Sequence, residues 1–211
     1  MLRPPSPRAL YERRFAEWVL PHLDAAYNLA RWLLRDDYDA EDVTQEAMLR
    51  AFRFFEGFRG DATQTKAWLL AIVRNRCYTW LRARNAQRGD SSFDEQAHSL
   101  AAADTVDGGA TPETLCVQAA RREWVQECLN DMPVEFREVV VLRELEEMSY
   151  KEIAAVVDIP IGTVMSRLAR GRDVLARALA RRARAAALRL RSGSRRRREW
   201  PQGSRSCGMR P

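Results

Sequence analysis

Apolar positions along this chain recur at steps of three and four residues in block after block, a spacing that predicts an all-α protein. The clearest block runs from Met148 to Leu179 and reads as helix, tight turn, helix. Ile153, Ala154 and Val157 mark the inner face of its first helix, with Ser149 as N-cap and Glu152 completing a capping box. Pro160 ends that helix, and Gly162 is expected to permit the bend before Thr163. In the second helix Val164, Leu168, Gly171 and Leu175 form a narrow face expected to pack on the first, with Gly171 allowing close approach. Thr163, Ser166, Arg167 and Arg170 share another face, a hydroxyl and guanidinium set suited to phosphates and base edges. A solvated αα-hairpin would show the same periodicity, but the Pro-Ile-Gly-Thr turn favours a DNA-binding helix-turn-helix.

Upstream, a short helix through Phe15 and Trp18 leads to an amphipathic one from near Pro21, carried by Leu23, Ala26, Tyr27, Ala30, Leu33 and Leu34. After a turn at Asp36 to Tyr38, Asp39 is expected to cap a long helix that buries Val43, Ala47, Ala51, Phe54 and Phe55. Glu41, Asp42, Gln45 and Glu46 cluster on its outer side, where acids also favour a helix N-terminus. A Gly-containing loop from Glu56 to Thr65 precedes a helix over Lys66 to Arg84, which interleaves aromatic and basic residues around a buried Leu69, Ile72 and Val73. That interleaving suits tracking of phosphates and stacking of unpaired bases, although aromatics at helical spacing are more often core.

The pattern then breaks. Residues 89 to 111 form an acidic, Gly- and Ala-rich stretch with no basic residue, expected to be a flexible linker. Helices follow over Pro112 to Asn130 and Glu135 to Glu146, the latter with a fully buried run from Val139 to Leu142. The expected layout is one domain over 1–88, the linker over 89–111, a second domain over 112–180, and an Arg-rich, disordered tail over 181–211.

Charge changes the picture once it is located. The net charge is +6, yet residues 180 to 211 hold eleven Arg against Glu199 alone, a net of +10. Taking that from the whole leaves −4 for the other 179 residues, so nucleic-acid binding by the folded part must come from local patches. The cysteines Cys77, Cys116, Cys128 and Cys207 form no CxxC pair and have only His22 and His98 for company, so no metal or other cofactor is expected. Cys128 falls on an apolar face with Trp124, Val125, Leu129 and Met132 and reads as an inert thiol. No signal-peptide pattern or membrane-length apolar run is evident, so a cytoplasmic protein is expected.

Three ordered blocks, DAEDVTQEAMLRAF, KAWLLAIVRNRCYTWLR and SYKEIAAVVDIPIGTVMSRLARGR, resemble a bacterial RNA polymerase sigma factor of the extracytoplasmic-function group. The resemblance covers roughly residues 10 to 180 and implies two helical domains, sigma2-like and sigma4-like, that dock on core RNA polymerase and direct it to promoters. It implies that Asp39, Glu41, Asp42, Gln45 and Glu46 bind the polymerase clamp helices. It places Phe58, Arg59 and Asp61 in the loop that receives a base flipped from the minus-ten element, with Lys66, Arg74, Asn75, Arg76, Tyr78, Thr79 and Arg82 beside it. Arg143, Tyr150, Thr163, Ser166, Arg167 and Arg170 match contacts to the minus-thirty-five element. Thr79, Met165 and Ala169 depart from common family residues, so the element types follow but not their sequences. The resemblance further implies contact with the polymerase flap, a linker near the RNA path, an anti-sigma partner, a stress or envelope-signal regulon, and no catalytic residue. Two other readings remain at this point: a stand-alone helix-turn-helix regulator, for which no dimer element is evident, and a nucleic-acid-processing enzyme, for which no nucleophile with its base is evident.

Overall fold

The computed structural model describes residues 6–87 and 123–196, all of them helix, turn or short connection. The expected linker, the start of the expected Pro112 helix and residues 197–211 lie outside that range. Four helices form the first body: α1 (Pro7–Trp18), α2 (Leu23–Leu34), α3 (Asp37–Phe54) and α4 (Ala62–Gln87). Four form the second: α5 (residues 123–130), α6 (Val134–Val140, continued by a π-helical turn Val141–Leu145), α7 (Tyr150–Val157) and α8 (Ile161–Arg196).

Local chemistry sets the ends of these helices. Ser6 caps α1, accepting from the Ala9 amide at 3.2 Å, with Pro7 at its first position. α3 begins earlier than expected: Asp36, not Asp39, is the N-cap, its carboxylate accepting from the Asp39 amide at 3.1 Å. Asp39 sits in the first turn instead. The start of α4 is held by Asp61, whose Oδ1 accepts from the Thr63 and Gln64 amides at 2.9 and 3.1 Å. The Ser149–Glu152 capping box is present in both directions, with the return bond from the Ser149 amide at 2.8 Å.

Packing follows the apolar stripes with two corrections. Leu23, expected inside, is 42% exposed, and Phe54 is 57% exposed while Phe55 is 1% exposed. Adjacent residues at a helix end point about 100–120° apart, so only one of the two rings can face inward, and here it is Phe55, the first residue of a single 3₁₀ turn, Phe55–Gly57. Phe55 there meets Tyr11, Phe15, Trp18, Phe58 and Trp68, mostly edge to face. Val139 to Leu142 is fully inside, as its unbroken apolarity predicts.

The helix-turn-helix forms as expected, but its turn works differently. Asp158 takes the left-handed conformation at φ 57° and closes α7, while Gly162 lies inside the first turn of α8 with open space where a Cβ would be. The bend needs the Asp, not the Gly. Gly171 does permit close approach, yet to α6 rather than α7, since a Cβ there would lie 2.7 Å from Val140 Cγ2. α8 also continues through Arg196, helical well beyond the expected onset of a disordered tail at Arg181.

The two bodies pack together, α4 against α7 and α2 against α6, and their buried apolar side chains merge into one cluster. Polar contacts seal the seam. Lys66 Nζ donates to the Glu146 carbonyl at 2.7 Å and pairs with its carboxylate at 3.0 Å, and Arg35 Nη2 donates to the Met132 carbonyl at 3.4 Å.

Candidate nucleic-acid interface

α3 presents Glu41, Asp42, Gln45 and Glu46 together on one exposed face, as the sequence predicts. Asp39 is half-buried at its edge, 3.5 Å from Arg84, and its pKa is raised by burial and by the neighbouring Asp36. Glu46 accepts a hydrogen bond from Arg76 of α4, so the acidic face and the expected DNA-reading helix are joined by an ion pair. Beside them lies a groove of about 580 Å³ lined by Leu20, Leu23, Tyr27, Glu41, Thr44 and Met48. Sequence reading misses it because the helical spacing assigns Leu23 to the core; Leu20 and Leu23 are in fact 47% and 42% exposed.

The residues expected to meet the minus-ten element separate into two groups. Arg59, Asn75, Thr79 and Arg82 are exposed, and Thr79 bonds back to the Asn75 carbonyl at 2.8 Å. Phe58 is half-buried, its ring 4.8 Å from Trp68, and it lies so near Gly60 that a Cβ there would come within 2.4 Å of the ring. Asp61 is occupied as the cap of α4, where bonds from Thr63 and Gln64 hold its carboxyl below the usual range. Lys66, Arg74 and Tyr78 face the second body and are half-buried against it.

In the second body Ser166 and Arg170 are exposed on the first turns of α8, with Thr163 half-buried alongside. Met165 and Ile161 stand exposed on the same turns, at 53% and 45%, and give this surface an apolar element able to meet a thymine methyl. Arg143 donates to the Met148 carbonyl at 2.8 Å and lies over the Tyr150 ring at 5.2 Å, so both are held at the entrance to α7. Arg167 is turned inward and pairs with Glu138 of α6 at 3.3 Å. Glu138, 1% exposed, is the functional candidate that sequence reading missed, hidden by the apolar run beside it.

Burial raises the Cys77 thiol to about 12, and burial followed by Asp131 raises that of Cys128. Among the described residues no helix is long and apolar enough to cross a membrane, and no cluster of metal-ligating side chains occurs.

Comparison with known families matches residues 18–87 to Sigma-70 region 2 and residues 122–175 to Sigma-70, region 4, one on each body. The fold and these two matches define a two-domain, all-α transcription initiation protein of the sigma-70 class. Over 138 residues the chain is 34% identical to the ECF RNA polymerase sigma-E factor of Escherichia coli K12, covering 65% of this chain and 72% of that one. It is also 34% identical to the ECF RNA polymerase sigma factor SigE of Mycolicibacterium smegmatis, over 78% of this chain and 61% of the relative. Among solved structures, the sigma factor RpoE of Bartonella quintana, in complex with the anti-sigma factor NepR, matches at TM-score 0.64 and 26% identity, over 80% of this chain and 98% of that one. CnrH, in complex with the cytosolic domain of CnrY, matches at TM-score 0.55 and 26% identity, over 80% and 89%. The chain belongs to the ECF family of RNA polymerase sigma factors. It binds core polymerase and directs promoter-specific initiation. A stand-alone regulator is disfavoured, because that reading has no use for a region-2 body.

Proposed function

We propose that this sigma factor divides its work among three surfaces. Asp39, Glu41, Asp42, Gln45 and Glu46 bind the polymerase clamp helices, with the Leu20–Leu23–Met48 groove beside them. Arg59, Asn75, Thr79 and Arg82, joined by Lys66, Arg74, Arg76 and Tyr78 once these are free, engage the minus-ten element, with Phe58 and Asp61 shaping the loop that accepts a flipped base. Arg143, Tyr150, Thr163, Ser166, Arg167 and Arg170 hold the minus-thirty-five element, the first two at phosphates and the rest at bases. The body over residues 1–88 carries the first two tasks and that over 112–180 the third. The chain performs no chemistry of its own, works in the cytoplasm, and is restrained by an anti-sigma factor, a partner type that the complex of RpoE with NepR supports.

The observation that carries this division is the separation of exposed charge: carboxylates on α3, guanidiniums and amides on α4, and a hydroxyl–guanidinium face on α8. In vitro transcription from a promoter library tests it, using purified core polymerase with and without the protein and duplex binding by the protein alone. Specific transcripts that require both components support the reading. Tight binding to discrete duplexes by the protein alone, with no transcripts, overturns it.

A further inference from the structure

Glu138 draws its partners from both expected DNA-reading sets. Its Oε2 accepts from Arg74 Nε at 2.9 Å and from the Tyr78 hydroxyl at 2.9 Å, and its Oε1 accepts from Arg74 Nη2 at 3.4 Å and Arg167 Nη1 at 3.3 Å. Arg74 and Tyr78 are one turn apart on α4, so a single carboxylate of the second body grips one helix face of the first. The Arg74 guanidinium also lies 4.5 Å over the Tyr78 ring, which fixes both donors. A carboxylate offers about four lone-pair sites, and here all four are taken. The Tyr78 hydroxyl is held protonated, its pKa raised by burial and by Glu138 itself, and so remains a donor.

We propose that Glu138 is a latch between the two bodies, holding Arg74 and Tyr78 away from nucleic acid until the bodies part. The inference rests on the functional reading above. Promoter elements named for positions ten and thirty-five lie about 25 base pairs apart, roughly 85 Å at ~3.4 Å per pair. Arg74 and Arg167 sit on either side of one carboxylate, so in this closed form they cannot serve both elements. The 35 residues between Gln87 and Glu123 could reach about 120 Å if extended at ~3.4 Å each, enough to permit separation. A DNA phosphate can replace Glu138 as the anionic partner of Arg74, charge for charge, while Glu138 keeps Arg167 in place within its own body. Latch and positioning group are thus the same side chain in two states.

The test is an interdomain distance on the full chain. Spin labels are placed at Arg53→Cys on α3 and Arg177→Cys on α8, both exposed, with Cys116→Ser and Cys207→Ser; Cys77 and Cys128 are buried. Glu138→Gln and Arg74→Gln should each shift at least half of the population from one short distance to a longer, broader one. Arg74→Gln leaves the Glu138–Arg167 pair intact and so decides the matter even where Glu138→Gln compromises folding of the second body. Distances that superimpose on the parent in folded Arg74→Gln protein overturn the latch. Core polymerase binding by the unlabelled parent is measured alongside. Failure there sinks the functional reading, whatever the distances show.

Discussion

Arg76 of α4 donates a hydrogen bond to Glu46 of α3, so a residue expected at promoter DNA is paired with one expected at the polymerase. Both side chains keep substantial exposure, and a pair of this kind contributes about 0–1 kcal/mol to stability. Its value is positional. It holds the Arg76 guanidinium at the edge of the acidic face, where docking of a basic partner would compete for Glu46.

Charge reversal of the acidic face separates binding from folding. Asp42→Lys with Glu46→Lys should weaken core polymerase affinity roughly tenfold or more, about 1.4 kcal/mol for each tenfold. Stability should change by no more than about 1 kcal/mol, because both positions are exposed and the lost ion pair is worth little. Affinity is read by competition against the parent chain and stability by urea melts. An unchanged affinity would remove the anchor from α3.

Gly171→Ala probes the contact between α8 and α6. A helix gains up to about 1 kcal/mol from alanine over glycine, but the new Cβ would sit 2.7 Å from a stiff Val140 methyl. Overpacking of that kind costs about 1–3 kcal/mol, so a net loss is expected. Val140→Ala in the same chain should recover part of it. Additive losses in the double variant would show that the two positions do not meet.

The capping box of α7 makes a pH-dependent contribution. The Ser149 hydroxyl and amide hold the Glu152 carboxyl below its usual range. Because the folded value is depressed, the stabilisation is fully present above the unfolded value, near pH ~4.3, and is lost as pH falls through the folded one. Ser149→Ala should therefore cost about 1 kcal/mol at neutral pH, with the difference from the parent shrinking below about pH 4. A difference that stays constant through acid would show that Glu152 is not part of the effect.

Helix existence was legible because caps and apolar spacing act within a turn or two of chain. Ser149 with Glu152, and the run Val139 to Leu142, could be read directly. Features that depend on remote partners could not. Nothing local distinguishes Phe54 from Phe55, since the rings of Tyr11 and Phe15 on remote α1 are what the inner of the two meets. Glycine at position 162 suggested the bend because glycine tolerates any backbone, whereas Asp158 supplies it. Glu138 was invisible as a site residue because Arg74 and Tyr78 lie 64 and 60 residues away in sequence.

Asp61 caps α4, and a pair of substitutions tests whether its carboxylate also serves promoter DNA. Asp61→Ser retains a capping oxygen for the Thr63 and Gln64 amides, while Asp61→Ala removes it and should cost about 1 kcal/mol. If the carboxylate also serves the base-accepting loop, both variants lose open-complex formation, read by permanganate reactivity of the melted promoter strand. If capping is its whole contribution, Asp61→Ser opens promoters like the parent. That result would withdraw Asp61 from the DNA-contact set.

The Arg-rich C-terminal region offers the last test. α8 passes the residues matched to region 4, and its extension is anchored: Ala178 is buried, and Arg182 bonds Glu127 of α5 and lies 3.5 Å from Asp131 in the turn that follows. Removal of residues 181–211 therefore sacrifices exposed ion pairs worth up to about 1 kcal/mol, whereas removal of 188–211 keeps them. Both truncations should leave promoter-dependent transcription nearly unchanged. A nonspecific DNA clamp would behave differently, because each arginine lost from a phosphate lowers the slope of log affinity against log salt by about 0.9. Holoenzyme binding to promoter duplex across a salt series decides between them. Parallel lines for the parent and the 188–211 truncation rule out a DNA clamp in residues 188–211, and a slope reduced by several units makes them a DNA-binding element.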